Sequence, residues 1–241
     1  MIRALGHVSI VVGHEGATAY EVLLGAPATR RKGRAWLQLA NIALDLVEGE
    51  AEGLAGLAFA VDDLEAARRL LERRGAPSAA PEQLDGRRIS QLDGTATHGV
   101  ALGLIQRGAT TRIAGGDIEG LDHVVIETRN PDRALALYGA RLGLDLRLDR
   151  SNPAWGARQL FFRCGEAVVE VVARLDAVAG DDPDRLTGLA WRAHDPVAAR
   201  TRITAAGFDC SDVRKGRKPG TAVFTVRSGV AGAPALVIGP E

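Results

Sequence analysis

The chain has 241 residues, of which 46% are hydrophobic and 25% charged, and its 30 basic and 30 acidic residues cancel. Such a length allows one large domain or two ordinary ones, and such a composition supports a packed core and argues against disorder. Neutral charge offers no basic face to nucleic acid or an anionic membrane, and no apolar run nears the roughly 20 residues that span a bilayer.

The N-terminal "MIRALGHVSI" lacks the long apolar stretch of a signal peptide. Cys164 and Cys210 alone make neither a disulfide framework nor a multi-cysteine zinc site. A cytoplasmic protein is expected, with a small molecule as its partner and a homodimer left open.

In chain order, "LGHVSIVV" (5–12) is a strand that begins on a histidine, His7. A short helix follows at 16–25, with Gly25 as its stop, and then the strands "AWLQLAN" and "IALDLVE". "LAFAV" is a strand leading to Asp62, which is placed to cap a helix with Glu65 three residues later. That helix turns Leu64, Ala67, Leu70 and Leu71 to one face and stops at Gly75. "RISQLDG" and "GVALGLIQ" are the next strands. "RGATTRIAGGDIEG" (107–120) is polar, rich in glycine and aperiodic, as a linker would be.

"LDHVVIET" (121–128) then repeats the opening strand with His123 in place of His7. Asn130 caps a helix with Pro131 at its first position and Gly143 at its end. The strands "LDLRLD", "RQLFFRC" and "AVVEVVA" follow. "GLAWRAHDPVAARTRITAAG" (188–207) repeats "GLAFAVDDLEAARRLLERRG" (56–75), with Asp195, Pro196 and Gly207 as punctuation, and "TAVFTVR" and "PALVIGP" close the chain. Repeats in the same order make two homologous halves. Each half divides into two units that open with a strand and a helix, so the expected class is α+β, with four βαβββ modules and curved mixed sheets around a cleft.

"LDHVVIETRNPDRALALYGARLGLDL" resembles the opening of a module of the vicinal oxygen chelate superfamily, which includes glyoxalase I, the bleomycin and fosfomycin resistance proteins and the extradiol dioxygenases. The resemblance implies two tandem domains, 1–107 and 118–241, joined by a linker at 108–117. It also implies an enzyme acting on a small oxygen-rich substrate in the C-terminal cleft. A metal-free protein that sequesters a small molecule is the alternative. One fold hosts many chemistries, so the fold is the firmer implication.

In that family a cleft metal takes ligands from four strand positions. Carried over residue by residue, the first two are His123 and Glu170 in the C-terminal half, with His7 and Asp45 as the weaker equivalent pair. The third falls on Gly56 and Gly188, and the fourth on Gly103 and about Val237. These offer no side-chain donor. About three protein ligands are wanted by catalytic zinc or non-haem iron. The expectation is therefore no tightly bound cofactor, and at most a weakly held divalent metal on His123 and Glu170.

Without a metal, Glu170 serves as general base and His123 as its partner. A carboxylate between Val168, Val169, Val171 and Val172 is costly to bury unless it is paired or wetted, and its strand parity turns it away from its immediate neighbours. Arg192 shares parity with Gly188 and suits a carboxylate or phosphate on a ligand. Trp155 is a candidate stacking surface, whereas Trp191, of parity opposite to Arg192, belongs in the core. "RKGRKPG" (214–220) reads as a loop, either a solvated turn or a lid attracting an anion.

Overall fold

The computed structural model describes residues 1–31, 33–108, 116–227, 230 and 235–241. Most of the expected linker, at 109–115, lies outside the described residues. No helix among the described residues is long and apolar enough to cross a membrane.

The N-terminal half contributes β1 (Ile2–Val12), α1 (Gly16–Leu24), β2 (Thr29–Arg31), β3 (Arg34–Gln38), β4 (Ala43–Glu48), β5 (Gly53–Val61), α2 (Leu64–Arg73), β6 (Glu82–Leu84), β7 (Arg87–Gln91) and β8 (Leu102–Gln106). The C-terminal half contributes β9 (Ile118–Glu127), α3 (Pro131–Ala134, continuing as a π-helix over Leu135–Arg141), β10 (Asp145–Asn152), β11 (Ala157–Cys164), β12 (Ala167–Arg174), β13 (Arg185–Ala193), α4 (Pro196–Ala205), β14 (Arg214–Lys215), β15 (Thr221–Val226) and β16 (Ala235–Pro240). A short 3-10 turn at Pro153–Trp155 joins β10 to β11.

Each half forms one curled eight-stranded sheet. The strand orders are β2-β3-β4-β1-β5-β8-β7-β6 and β10-β11-β12-β9-β13-β16-β15-β14, the same topology twice. The fold is α+β, built from βαβββ modules as the repeats require.

Local chemistry explains the helix ends. Asn130 accepts from the Arg133 amide at 3.0 Å, and Asp195 accepts from Val197 and Ala198 at 2.9 and 3.0 Å. The cap of α2 is Asp63, which accepts from Ala66 at 2.9 Å, and not Asp62 as the sequence suggests. Asp62 is instead engaged by Arg3 and Arg107, at 2.7 and 3.2 Å. The helix expected over 131–142 widens into a π-helix after one turn, with the Leu142 amide reaching back to the Leu137 carbonyl at 2.9 Å. Leu137 and Tyr138 are consecutive, and both are fully buried.

The described chain forms two compact units, each drawing one module from each half. The first gathers Met1–His7, Gly56–Ala109 and Val124–Thr187. In it, Leu64, Ala67 and Leu71 of α2 are buried, as are Leu160, Phe162, Val169 and Val171 on β11 and β12. Arg74 donates to the Arg141 carbonyl at 3.1 Å, and the Asp184 amide donates to the His98 carbonyl at 2.8 Å, which ties its two modules together.

The second unit gathers Val8–Ala55, Thr110–His123 and Gly188–Glu241. Arg202 holds Asp117 through two bonds of 2.9 and 2.6 Å and also donates to the carbonyls of Val22 and Leu23. Asn41 bonds the backbone of Leu121 in both directions, at 2.8 and 2.9 Å, as a strand partner would. A Cβ on Gly120 would stand 2.3 Å from the Asn41 Oδ1, so a larger residue there would displace this side chain from Leu121.

Candidate functional site

Strand alternation sorts the residues of the C-terminal sheet onto two faces. Val169, Val171 and Ala173 of β12 and Leu160, Phe162 and Cys164 of β11 are buried on the face that α3 covers. The opposite, inner face carries Val168, Glu170 and Val172, with Gln159 and Phe161 beside them. Across β10, β11 and β12 the register sets two rows: Leu148, Phe161 and Glu170 in one, and Arg150, Gln159 and Val172 in the next. A bulge between Leu146 and Leu148 brings Leu148 and Arg150 onto this face.

Glu170 is 9% exposed and Gln159 is 4% exposed. The Gln159 Nε2 donates to the Glu170 Oε1 at 2.6 Å. The Arg150 Nε and Nη2 donate to the Gln159 Oε1 at 3.2 and 3.1 Å. A guanidinium only donates, so the amide oxygen must face Arg150 and the amide NH2 must face Glu170. Arg150 also lies over two rings, 4.7 Å from the centroid of Trp155 and 5.7 Å from that of Phe161. The sequence names Glu170 and Trp155. It gives Gln159 no mark beyond its parity, and Arg150 none at all, because the bulge shifts its face.

His123 lies in the second unit, where its Nδ1 is 2.8 Å from the Asp122 Oδ1. A carboxylate accepts, so the His123 Nδ1–H donates to Asp122 and the ring is oriented with Nε2 on the side away from that carboxylate. Burial alone would raise the Asp122 carboxyl. The His123 hydrogen bond and the charges of His123, Lys218 and Arg192 outweigh burial and hold it below its ordinary value. Arg192 donates from Nε to the Glu119 Oε2 at 3.1 Å, and the His194 Nδ1 is 2.6 Å from the Glu119 Oε1. Arg192 thus already has a carboxylate against it. Lys218 brings the basic run at 214–220 within electrostatic reach of Asp122. Asp122 is the residue next to His123, and its acidity is the signal the sequence offered.

The N-terminal half is built differently at the equivalent places. Asp45 is buried, and Arg34 donates to its Oδ2 from the neighbouring strand. Trp36 pairs with Asp45 as Phe161 pairs with Glu170. His7 is 2% exposed, and Gly6 stands where Asp122 stands in the other half. A Cβ on Gly6 would meet Ala60 Cβ and Ile105 Cγ2 at 3.0 Å each. Ala58, Ala60, Ile89 and Ile105 form a buried apolar cluster there, with Ala4 and Leu84 packed against it.

The profile of the glyoxalase/bleomycin resistance protein/dioxygenase superfamily matches residues 122–224. The chain carries a domain of the vicinal oxygen chelate superfamily. Among solved structures, 2,2',3-trihydroxybiphenyl 1,2-dioxygenase from Sphingomonas wittichii strain RW1 matches with TM-score 0.75 and 16% identity over 99% of this chain and 91% of that one. A variant of 4-hydroxymandelate synthase from Streptomyces coelicolor matches with TM-score 0.75 and 15% identity over 100% and 94%. A Mn(II)-bound glyoxalase from Novosphingobium aromaticivorans matches with TM-score 0.76 and 15% identity over 99% and 82%. No curated protein sequence matches the chain. At these identities the structures establish the fold, and chemistry must come from the residues.

A metal of the vicinal oxygen chelate type does not fit the donors present. On the inner face of β13 stand Gly188 and Ala190, and Ala190 pairs with Leu236 and Arg192 with Ile238 on β16. Val237, the sequence-based fourth position, instead pairs with buried Trp191 on the helix-bearing face. The position equivalent to Gly103 is Leu236. A slip of one residue exchanges the two faces of a strand. Among the described residues, no three His, Cys, Asp or Glu side chains gather as a metal site.

Proposed function

We propose that this vicinal oxygen chelate protein is an enzyme that binds a small oxygen-rich substrate on the inner face of its C-terminal sheet, with Glu170 as general base. The observation that supports it is the Glu170 carboxylate. It is nearly buried among valines and bonded by an amide whose orientation Arg150 fixes. An acceptor held this way is oriented before a substrate proton arrives, which is what a base requires. In this reading Trp155 contacts the ligand beside Glu170. No step needs a metal.

A binding protein that sequesters such a molecule is the second reading. It is favoured by the absence of side-chain donors at Gly188, Ala190, Leu236 and Ile238.

The test is turnover of a panel of catechols, 2-hydroxy ketones and 2-oxo acids by wild type and by Glu170→Gln. We expect Glu170→Gln to keep ligand binding and lose roughly 100-fold or more in turnover. Turnover at the wild-type rate in Glu170→Gln would remove Glu170 from the chemistry. Tight binding with no turnover by wild type would leave sequestration.

A further inference from the structure

Arg150 has two of its five N–H donors spent on Gln159 and its faces against Trp155 and Phe161. It makes no ion pair among the described residues, in a chain where most of its neighbours do. Asp149 beside it is taken by Arg158 through bonds of 3.0 and 2.8 Å, and Arg158 also holds Asp132 at 2.9 Å. A half-buried guanidinium with three free donors and no counter-ion is poised for an oxyanion, which its planar fork can grip with two bonds. Trp155 and Leu148 flank it and are 40% and 43% exposed, a large apolar surface next to a lone cation.

We propose that Arg150 is the anion-recognition residue of the site, and that its ligand is a small monocarboxylate with a planar apolar body. The carboxylate takes the free Arg150 donors and the body lies against Trp155 and Leu148. One charge fits better than two, because the Glu170 carboxylate stands one row away on the same face and would repel a second negative charge. Gln159 then lies between the ligand's carboxylate and the Glu170 base, bonded to Arg150 on one side and to Glu170 on the other. This inference rests on the reading of Glu170 above and adds the class of molecule to it.

The test uses 2-hydroxybenzoate, its neutral counterpart 2-hydroxybenzamide, phenyl phosphate and catechol as probes. Binding is followed by titration calorimetry and tryptophan fluorescence on wild type, Arg150→Met, Arg150→Lys, Trp155→Leu and Glu170→Gln, each checked for native unfolding.

We expect 2-hydroxybenzoate to bind wild type about tenfold or more tightly than Arg150→Met, with Arg150→Lys in between. 2-Hydroxybenzamide should bind both alike, and Trp155→Leu should weaken both probes by similar factors. Equal affinity of 2-hydroxybenzoate for wild type and Arg150→Met overturns the assignment of Arg150. Preference for phenyl phosphate, or no binding of 2-hydroxybenzoate, overturns the monocarboxylate class. In either case, catechol turnover that is lost in Glu170→Gln leaves the reading of the site standing, and its absence removes that as well.

Discussion

The Gln159 side chain donates to Glu170 across neighbouring strands at 2.6 Å, and both residues are nearly inaccessible to solvent. A buried carboxylate that loses a donor is penalised, whereas removing both partners together costs far less. Gln159→Met should therefore destabilise the fold by about 1–3 kcal/mol. Gln159→Met combined with Glu170→Met should cost less than the sum of the two single changes, with a coupling of about 0.5 kcal/mol or more. Urea unfolding of the four proteins measures this. Strict additivity would mean that the contact carries no energy.

The His123–Asp122 pair predicts a pH dependence. The Asp122 carboxyl is depressed in the folded chain. Its stabilisation is therefore complete above the unfolded carboxyl value of about 3.9, and it is lost as pH falls through the folded value. Asp122→Asn removes that term. Wild type should be the more stable protein at neutral pH, and the difference should shrink below about pH 4. Urea midpoints between pH 7 and pH 3 test this, and parallel curves would count against it. Nitrogen NMR of His123 should show the Nδ1–H tautomer in wild type and its loss in Asp122→Asn.

Much of this architecture is readable from the sequence, because helix caps and strand alternation are local. Asn130, Asp195 and the repeated histidine strands carry their own signals, and the long strands follow from runs such as "AVVEVVA". The strands that escape are β2, β6 and β14, of two or three residues and almost wholly exposed, which leaves no apolar pattern to read. Asp62 and Asp63 are equally good caps by chemistry, and the competing pull of Arg3 and Arg107 on Asp62 decides between them. The site is harder to read. Glu170 stands out as a charge among valines, but Arg150 reaches its face only through a bulge, and nothing local marks a bulge in "LDLRLDRSN".

The two halves diverge at one position with a measurable consequence. Gly6 lies against Ala60 and Ile105, where its counterpart Asp122 holds an imidazole. Gly6→Ala must displace that packed cluster and should cost about 1–3 kcal/mol. Ligand affinity at the C-terminal sheet should not change. A neutral effect on the thermal unfolding midpoint would show that the N-terminal cluster has room to yield.

The two thiols should differ in reactivity. Cys164 is buried on β11, and burial pushes its thiol up to about 12, whereas Cys210 is partly exposed. Because the thiolate is the nucleophile, the native protein should release one equivalent from a disulfide reagent quickly and the second only on unfolding. Cys210→Ser should abolish the fast phase. Two equivalents reacting together in native buffer would indicate local opening of β11.

The donor chemistry of β13 and β16 leads to the last expectation. A hard divalent ion bound by a protein alone needs several oxygen or nitrogen ligands, and Gly188, Ala190, Leu236 and Ile238 supply none from their side chains. Any metal would then depend on water or on substrate oxygens for most of its shell. Protein purified without chelator and dialysed against a mild one should hold iron, manganese or zinc substoichiometrically by elemental analysis. Added Mn(II) should leave the unfolding midpoint nearly unchanged without ligand, because stabilisation by binding scales with the ratio of ion concentration to Kd. An upward shift of several degrees with Mn(II) alone, or stoichiometric metal after dialysis, would show that ligands other than these strand positions complete a site.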